Sequence, residues 1–406
     1  MKQTAVIAGV GMTPIGRHPD RTLSSLAREA VLLAITDAGI SIDQLQAVWA
    51  GTAGAPIITG QTCIAGQLVV RGLGLGRVPV VNVENACATG STAFQQACSM
   101  VSLGAYDIVL AFGVEKLYHP DKARTLAVFE GGVDVDSPQE LAAFVGVDPK
   151  EPGPSERRSL FMDIYARWAR DYMLQSGATL RDFAKVSAKN AQHGSLNPLA
   201  QFRNVVTEEE VLDSPLIAPP LTRLMCSPIA DGAAAVVIVS KKAARELGVR
   251  KPIFVLGSLI ASGFDCASGE TTLAQTAARD MYAEAGMSPA DLDCLELHDA
   301  TAPAELTLYE DLGLCAAGEG PKLIRANATA LGGRIPVNTS GGLIRKGHPI
   351  GATGLAQIHE LTLQLRGDAD TRQVLGARTA MAQNGGGFIK ADVATMTLTV
   401  LARGGA

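Results

Sequence analysis

Short apolar runs rich in β-branched residues alternate along the chain with longer amphipathic segments. The apolar runs include TAVIAGVG (4–11), YDIVLAFG (106–113), AAAVVIVS (233–240) and KPIFVLGSLIA (251–261). In the segments LSSLAREAVLLAITDAG (23–39) and TLAQTAARDMYAEAG (272–286), apolar residues recur at helical spacing. This alternation predicts an α/β fold in which helices cover largely buried sheets.

Two segments of the first half are repeated, in the same order, in the second half. DAGISIDQLQAVWAG (37–51) resembles EAGMSPADLDCLELH (284–298), and CATGSTAFQQA (87–97) resembles GATGLAQIHEL (351–361). Ordered self-similarity on this scale predicts a duplicated α/β half and not a short-repeat array. Chance similarity between short Ala- and Gly-rich segments is the alternative.

A long region without a counterpart separates the two halves. We therefore predict an N-terminal half at 1–115, completed by about 229–245, an inserted loop domain at 116–228 and a C-terminal half at 246–406. The insertion contains Pro- and Gly-rich stretches and an amphipathic helix, SLFMDIYARWARDYMLQSG. Insertions of this length in α/β enzymes commonly serve as lids or substrate-binding elements.

Composition narrows the class of protein. The chain has 406 residues, 47% hydrophobic and 18% charged, with a net charge of −5, which argues against a general nucleic-acid binder. It has no apolar run of roughly 20 residues and no signal-peptide pattern at its start, so a cytoplasmic location is expected. Its seven scattered cysteines include no CxxC pair, so we predict neither a metal site nor a disulfide framework.

Cys87 is the cysteine whose local sequence best suits a reactive thiol. In VNVENACATGSTAFQQACSM it lies at a predicted strand-to-helix elbow, where free backbone N–H groups and the helix dipole can lower a thiol pKa. Small neighbours leave its sulfur open to a ligand. Cys98, in the middle of the same predicted helix, lacks these features and is expected in the core.

Three further segments carry candidate groups. His348 lies in the Gly-rich segment NTSGGLIRKGHPIGATG, just before the helix that the duplication pairs with the Cys87 helix. If a pseudo-twofold axis relates the halves, Cys87 and His348 converge, as nucleophile activation requires. His298 follows a predicted strand in LELHDAT, and the run Gly385–Gly387 can bring backbone N–H groups close to a ligand oxygen. Purely structural roles in loops and turns are the alternatives.

These segments together resemble the thiolase superfamily, and most closely its sterol-carrier-protein type and thiolase-like relatives. The resemblance rests on NACATGSTA, HDA, NTSGGLIRKGHPIGATG and the terminal Gly run, with further support from GVGMTPIG, GVEKL and CSPIADGAAAVVI. It implies duplicated α/β halves in five layers with an inserted loop domain, and a homodimer. It also implies coenzyme A thioesters as substrates and no permanently bound cofactor.

The resemblance also implies roles for individual residues. Cys87 becomes acylated by an acyl-CoA, His348 activates it, and His298 lines the same pocket. The N–H of Cys87 and the Gly run, with Gly386 as our choice, form an oxyanion hole. Basic residues of the insertion, such as Arg157, Arg158, Arg167 or Lys185, suit the phosphates of coenzyme A, although the sequence does not select among them.

The chain departs from the family at the second, acid/base cysteine. Most branches place it just before the terminal Gly run, where this chain has Ala382-Gln383-Asn384. The sterol-carrier type places it in an HDCF motif, where this chain has His298-Asp299-Ala300-Thr301. We therefore expect a thiolase-like enzyme that forms or cleaves a C–C bond through acyl-Cys87, with His298 as a possible base.

Two alternatives remain open at this point. One is a retro-aldolase acting on a CoA thioester, and the other is a non-catalytic subunit that binds acyl-CoA or lipid. Several relatives of this kind act with a small OB-fold, zinc-ribbon partner protein, so the resemblance also implies such a partner here.

Overall fold

The computed structural model describes residues 3–146, 160–264, 270–390 and 392–404. Its strands are β1 Val6–Met12, β2 Ala47–Gly51, β3 Val80–Val83, β4 Ile108–Glu115, β5 Leu216–Ala218, β6 Leu221–Thr222, β7 Gly232–Val239, β8 Ile253–Ser262, β9 Cys294–Glu296, β10 Thr379–Ile389 and β11 Asp392–Arg403. Its helices are α1 Leu23–Ala38, α2 Ala55–Thr59, α3 Ala65–Gly72, α4 Thr89–Ser102, α5 Lys122–Glu130, α6 Pro138–Val145, α7 Leu160–Ser176, α8 Leu180–Ser195, α9 Glu208–Leu212, α10 Lys241–Glu246, α11 Leu273–Ala285, α12 Ala302–Asp311, α13 Gly320–Arg325, α14 Gly342–Lys346 and α15 Thr353–Arg366.

Nine of the described strands form one sheet whose order repeats across the two halves. The order is β3-β2-β4-β7-β1-β8-β11-β10-β9. In the first half β3, β2 and β4 are parallel, and β7 and β1 follow as antiparallel strands. In the second half β9 and β10 are parallel, and β11 and β8 follow as antiparallel strands. A parallel bridge between Leu295 and Val337 lies where the counterpart of β3 belongs.

Local structure repeats as well, because equivalent sequence signals produce equivalent caps. Helices α1 and α11 end at Gly39 and Gly286, which have positive φ angles of 67° and 68°. A short 3-10 turn follows in each half, and Ser41 and Ser288 cap these turns through the same capping box. The predicted duplication is therefore confirmed down to single capping residues.

Helices α4 and α15 form the central layer between the two halves of the sheet. They pack against each other, and α4 contacts β2 and β4 while α15 contacts β9 and β10. Their glycines allow the close approach: a Cβ on Gly354 would lie 2.5 Å from Ser91, and one on Gly90 would lie 2.9 Å from the carbonyl of Gly351. Helices α1 and α11 cover the outer faces. The layers are thus helix, sheet, helix, sheet, helix.

The segment between β4 and β7 carries α5 to α9 and a small β5–β6 ladder. Its long helices α7 and α8 pack on α12 of the second half. Lys189 in α8 contacts Glu305 in α12 and donates to the carbonyl of Val337 over 3.0 Å. Asn190, the next residue, donates to both Asp299 and Glu305 over 2.8 Å. Buried polar contacts therefore fix this segment to the second half.

Some expectations from the sequence concern single arginines and cysteines and membrane-spanning helices. Arg157 and Arg158 lie outside the described residues, as does Cys266. Cys98 is fully buried in α4, as predicted for a core residue. Within the described part of the chain, no helix combines the length and the apolar character that crossing a membrane requires.

Candidate active site

A cavity of about 630 Å³ opens where the start of α4, the Gly run of β10, helix α7 and the loop before α15 meet. Cys87, His298 and His348 all line it. The Cys87 sulfur and one ring nitrogen from each histidine lie within 4.8 Å of one another. The two imidazole rings meet edge to face, with centroids 5.1 Å apart. The fold thus brings together three side chains that are far apart in sequence.

The backbone before Cys87 makes a sharp elbow. Strand β3 ends at Val83, a 3-10 turn covers Ala86–Ala88, and α4 begins at Thr89. Ala86 has a φ angle of 47°, a left-handed conformation that is strained for a residue with a Cβ. The Thr89 hydroxyl stabilises the elbow, because it accepts from the Asn85 N–H over 2.8 Å and donates to the Ala86 carbonyl over 2.6 Å. The predicted strand-to-helix position of Cys87 is therefore correct.

The expected low pKa of Cys87 is wrong for this structure. Burial, together with the nearby Glu115 and Glu84 carboxylates, raises the pKa of the thiol to about 12. The N–H groups near the sulfur, from Gly387 and from Cys87 itself, lower the pKa by less than burial raises it. The helix-start position therefore does not by itself produce a thiolate, and a base must remove the proton.

His348 is oriented by the turn that follows it. Its Nδ1 lies 2.7 Å from the Thr353 hydroxyl, and that hydroxyl donates its hydrogen to the Pro349 carbonyl over 3.1 Å. The hydroxyl oxygen therefore accepts from Nδ1–H, which leaves Nε2 unprotonated and free for the cavity. Burial, and then the neighbouring His298 and Lys346, lower the pKa of His348 well below its usual range. The imidazole is thus a neutral base beside a neutral thiol.

His298 has the opposite arrangement. The Asn384 amide nitrogen lies 2.7 Å from its Nδ1, and an amide nitrogen only donates, so Nδ1 accepts and Nε2 carries the proton. The Ser91 hydroxyl lies 2.9 Å from the Asn384 Oδ1 and also 2.9 Å from the Ala88 carbonyl oxygen, and it has one hydrogen for the two. Gln383 Oε1 accepts from the His298 backbone N–H over 3.0 Å. Burial lowers the pKa of His298 to about 4, so the ring is a neutral hydrogen-bond donor.

Glu115, at the end of β4, connects the loops of the two halves. Its buried carboxylate accepts from the N–H groups of Ala53, Gly54 and Ala55 and, over 2.9 Å, from that of Gly351. Burial raises the pKa of this carboxyl, although the four N–H groups oppose that shift. The contact fixes the turn before α15, and with it the backbone next to His348.

The Gly run of β10 packs directly on the Cys87 turn. A Cβ on Gly386 would lie 3.0 Å from the backbone nitrogen of Cys87 and 2.6 Å from the Asn85 carbonyl, so only glycine fits there. The Gly387 backbone N–H makes the hydrogen bond that lowers the pKa of the Cys87 thiol, while the part of Gly386 in an oxyanion hole stays a prediction. Backbone N–H groups of the run and of the turn therefore meet at the sulfur.

Two family models cover most of the chain. The model "Thiolase, N-terminal domain" matches residues 5–242, and the model "Thiolase C-terminal domain-like" matches residues 264–399. The chain belongs to the thiolase family.

Several curated thiolase relatives match along nearly the whole chain. An acetyl-CoA acetyltransferase of Methanothermobacter thermautotrophicus is 37% identical over 95% of this chain and 97% of its own length. The benzoylsuccinyl-CoA thiolase subunit BbsB of Thauera aromatica is 35% identical, with 96% and 97% covered. Sterol carrier protein 2 of Bos taurus is 35% identical over 95% of this chain and 70% of its own length.

Solved structures agree on the thiolase fold. The structure titled "Ltp2-ChsH2(DUF35) aldolase" superposes with a TM-score of 0.79 at 26% identity, covering 99% of this chain and 98% of that one. Human mitochondrial 3-ketoacyl-CoA thiolase in complex with CoA has a TM-score of 0.69 at 16% identity, covering 99% and 98%. The latter likeness concerns the fold alone.

The two places where other thiolases carry a second cysteine are occupied differently here. Ala300 lines the cavity without a reactive group, while Gln383 and Asn384 hold His298. Cys226, which the sequence did not single out, also lines the cavity. Its thiol donates to the Thr222 carbonyl over 3.4 Å, and burial raises its pKa to about 12. Its place beside Ala300 depends on a tertiary bridge to Thr301 that no local motif reveals.

The basic residues suggested for coenzyme A phosphates, where they are described, are not among the residues that line this cavity. Arg167 pairs with Asp171 over 2.8 Å, and Lys185 donates to the carbonyl of Arg325 over 3.1 Å. The arginines that do line the cavity are Arg223 and Arg345. Neither was among the residues proposed from the sequence, because both lie outside the basic part of the insertion from which those candidates came.

Proposed function

We propose that this protein is a thiolase-like enzyme that forms or cleaves a C–C bond in a CoA thioester through an acyl group carried on Cys87. The observation that carries the proposal is the meeting of Cys87, His348 and His298 at one cavity of a thiolase-family fold. Each half supplies part of the site, and each group has a chemical form suited to acyl transfer.

The first half-reaction starts from a neutral thiol and a neutral imidazole. His348 Nε2 takes the proton as the Cys87 sulfur attacks the thioester carbonyl, so the C–S bond to Cys87 forms. Collapse of the tetrahedral intermediate breaks the C–S bond to coenzyme A. The departing thiolate takes the proton back from His348, so CoA leaves as the thiol and His348 is neutral again.

His298 supplies a hydrogen bond to the oxygen that becomes negative. Its Nε2–H faces the cavity because Asn384 occupies Nδ1. A fixed donor of this kind, in a buried site, stabilises an oxyanion or an enolate more than it stabilises the substrate. The N–H groups of Cys87 and the Gly run, with Gly386 as the expected partner, supply donors to the same or a second oxyanion.

We assign the base of the second half-reaction to His348 and not to His298. After CoA leaves, His348 is unprotonated and can remove a proton from the α-carbon of a second CoA thioester. The resulting carbanion attacks acyl-Cys87, the new C–C bond forms, and the Cys87 sulfur leaves and recovers the proton from His348. The Asn384 contact opposes a base role for His298, because it keeps the proton on Nε2.

Intact-protein mass spectrometry tests the proposal. Incubation with short, long and aromatic acyl-CoA thioesters should add one acyl group, mapped to Cys87 by peptide analysis. Cys87→Ala should abolish the adduct, and the exposed Cys63→Ala should retain it. His348→Ala should slow acylation about 100- to 10,000-fold, the range for loss of a general base.

Two outcomes of this experiment would contradict the proposal. One is saturable thioester binding without an adduct or turnover, which would favour a non-catalytic subunit. The other is loss of acylation after treatment with a chelator, because sulfur and imidazole nitrogens at this spacing also suit a divalent ion. A Cys226→Ala variant is assayed in parallel. Retention of the second half-reaction in this variant agrees with His348 as its base, and loss of it would assign the base to Cys226.

A CoA-thioester retro-aldolase is the second candidate. It is favoured by the likeness to a structure titled as an aldolase and by the absence of cysteine at Ala300 and at residues 382–384. Retro-aldol cleavage needs a base at a hydroxyl and a donor at the thioester oxygen, but no acyl-enzyme. It therefore predicts that Cys87→Ala retains most of the cleavage activity, whereas the thiolase-like proposal predicts that activity is lost.

Assembly with other chains is also part of the proposal. We propose a homodimer, supported by the open edge of the sheet at β3, where Val81 is 41% exposed. We further propose a small OB-fold, zinc-ribbon partner protein. It is supported by one relative that is named as a subunit and one solved structure whose title names two proteins. Light scattering of the pure chain and co-expression with a candidate partner test the two proposals separately.

A further inference from the structure

Arg345 places a buried positive charge in the wall of the same cavity. It lies in α14, three residues before His348, and its side chain is 3% exposed. The cavity lining contains two arginines, Arg223 and Arg345, and no aspartate or glutamate among the described residues. The charged side chains of the described lining are therefore all positive, and its histidines and thiols are neutral.

The hydrogen bonds of Arg345 leave its charge uncompensated. Its Nη2 donates to the Asn204 carbonyl over 2.5 Å and to the Asn204 Oδ1 over 2.9 Å, and its guanidinium carbon lies 5.5 Å from the ring centroid of Phe202. Its Nε is buried and has no hydrogen-bond partner within the described ranges. The next residue, Lys346, differs because its ammonium pairs with Glu296 at 3.4 Å.

An unpaired cation of this kind is costly in the free protein. Burial lowers the pKa of the Arg345 guanidinium, yet an arginine side chain stays charged in proteins. Buried charges are normally paired, because the loss of hydration is not otherwise repaid. A ligand that brings a negative charge to the part of Arg345 that lines the cavity would compensate this charge.

The two arginines of the cavity have different surroundings. Arg223 is exposed, as suits a contact with strongly hydrated phosphates, whereas Arg345 is enclosed near His348 and the apolar Ile344. Resting on the function proposed above, we infer that Arg345 binds a carboxylate carried by the acyl group. The substrate class is then a CoA thioester of a dicarboxylic acid, and Arg345 is the residue that selects it.

The test separates an acyl carboxylate from the phosphates of coenzyme A, which offer similar chemistry. Cys87 acylation is measured for glutaryl-CoA, for its neutral terminal-amide analogue, and for the two corresponding pantetheine thioesters, which lack the nucleotide phosphates. The wild-type chain, Arg345→Gln, Arg345→Lys and the matched control Arg223→Gln are compared. Succinyl and adipyl series repeat the comparison at other chain lengths.

The expected result is a preference of the wild type for the acid over its amide. Arg345→Gln should remove about 10- to 100-fold of that preference, in both the CoA and the pantetheine series, as expected for loss of a charged hydrogen bond. Arg345→Lys should retain part of the preference, and Arg223→Gln should leave the ratio of acid to amide unchanged.

Other results would overturn the inference. A wild type that does not distinguish acid from amide at any chain length overturns it without any variant, so misfolding of Arg345→Gln cannot hide the answer. A penalty confined to the CoA thioesters would assign Arg345 to a phosphate. An equal penalty on all four compounds would make Arg345 a packing residue. If no thioester acylates Cys87 or binds, the proposed function itself fails, which is a different outcome from each of these.

Discussion

Asn384 and Thr353 each contact Nδ1 of one histidine in the cavity, but with opposite polarity. The Asn384 amide nitrogen donates to His298, whereas the Thr353 hydroxyl accepts from His348. Two chemically identical rings therefore present a proton and a lone pair to the same substrate. The neighbouring amide and hydroxyl, and not the histidines alone, decide which ring donates and which ring accepts.

Asn384→Asp should reverse the polarity of His298. A carboxylate accepts from Nδ1–H, so Nε2 loses its proton and the pKa of His298 rises from about 4. Acylation of Cys87 should fall about 100-fold or more, the usual cost of losing one oxyanion donor. Nitrogen NMR of labelled histidine reports the tautomer directly. Asn384→Ala is the control, because it removes the contact without reversing it, and an unchanged tautomer in Asn384→Asp would contradict the assignment.

Alkylation of Cys87 should follow the high pKa of its thiol. Only the thiolate reacts, so the rate with iodoacetamide should rise about tenfold per pH unit from pH 7 to pH 10 without levelling off. The same cysteine in the denatured chain should level off above about pH 9. Peptide mass spectrometry follows Cys87 separately from the other cysteines. A plateau near neutral pH in the folded chain would instead indicate a preformed thiolate.

At the scale of single residues, the reactive groups could be predicted from the sequence, but their pKa values and the contacts that orient them could not. Cys87, His298 and His348 stand out because each follows a strand or precedes a helix in a distinctive local pattern. The functions inferred for Asn384, Ser91 and Arg345 depend on contacts between residues up to 293 positions apart. The sign of the Cys87 pKa shift was missed for the same reason, because burial is a property of the assembled fold.

The contact between α4, β4 and α15 determines where the reactive groups of the two halves meet. Gly113 in β4 lies against the turn before α15, where a Cβ would come within 2.2 Å of the Gly351 carbonyl oxygen. That turn also holds the Glu115 contact and leads back to His348. Close packing between these elements thus positions catalytic groups as well as stabilising the fold.

Gly113→Ala should lower both the free energy of unfolding and the rate of Cys87 acylation. The added methyl group forces backbone to move, at a cost of about 1–3 kcal/mol in the free energy of unfolding. The displaced turn should also slow acylation of Cys87 by tenfold or more, because His348 moves with it. Gly16→Ala is the matched control, since a Cβ there meets nothing within 4 Å. Denaturant unfolding and acylation rates check the prediction, and unchanged values for both would contradict it.

Elements were predictable where the pattern was local and strong. The runs around β1, β4, β7 and β8 and the helices α1 and α11 match the predicted segments closely. The pairing of β1 with β8, which joins the halves into one sheet, was not predictable, because register between distant strands leaves no local signal. The packing of α7 and α8 on the second half was not predictable either, because it also depends on contacts between residues far apart in sequence.

At the scale of the whole molecule, buried histidines should make the fold sensitive to acid. His193, His298 and His359 have pKa values lowered to about 4, with burial as the largest cause. The unfolded chain takes up these protons near pH 6.5, so each histidine contributes stability above that pH, and the contribution is lost as pH falls toward 4. Stability should therefore decline across this window.

His359→Leu isolates one of these contributions. Its Nδ1 has no hydrogen-bond partner in the part of the chain that the structure describes, so the substitution removes a titrating group at little cost in contacts. Between pH 7 and pH 5, the wild type should lose about 2 kcal/mol of unfolding free energy relative to the variant. Urea unfolding across this pH range measures the difference, with His119→Leu, at a partly exposed position, as control. A difference independent of pH would contradict the prediction.

The overall architecture was the most predictable feature. The duplication in residues 37–51 and 284–298 corresponds to the same capped turn before the same parallel strand, so this repeat predicted two similar α/β halves, whereas the five layers followed from the family resemblance. The cavity was less predictable, because its lining comes from residues between 87 and 393 along the chain.

The protonated thiol of Cys87 has a consequence for oxidative damage. Peroxide oxidises thiolates to sulfenic acid much faster than it oxidises thiols, and redox-sensing cysteines are accordingly exposed and of low pKa. Cys87 is 8% exposed and its pKa is about 12, so the resting site holds its nucleophile in an inert form. Sensitivity to peroxide is thereby confined to the moments when His348 has taken the proton.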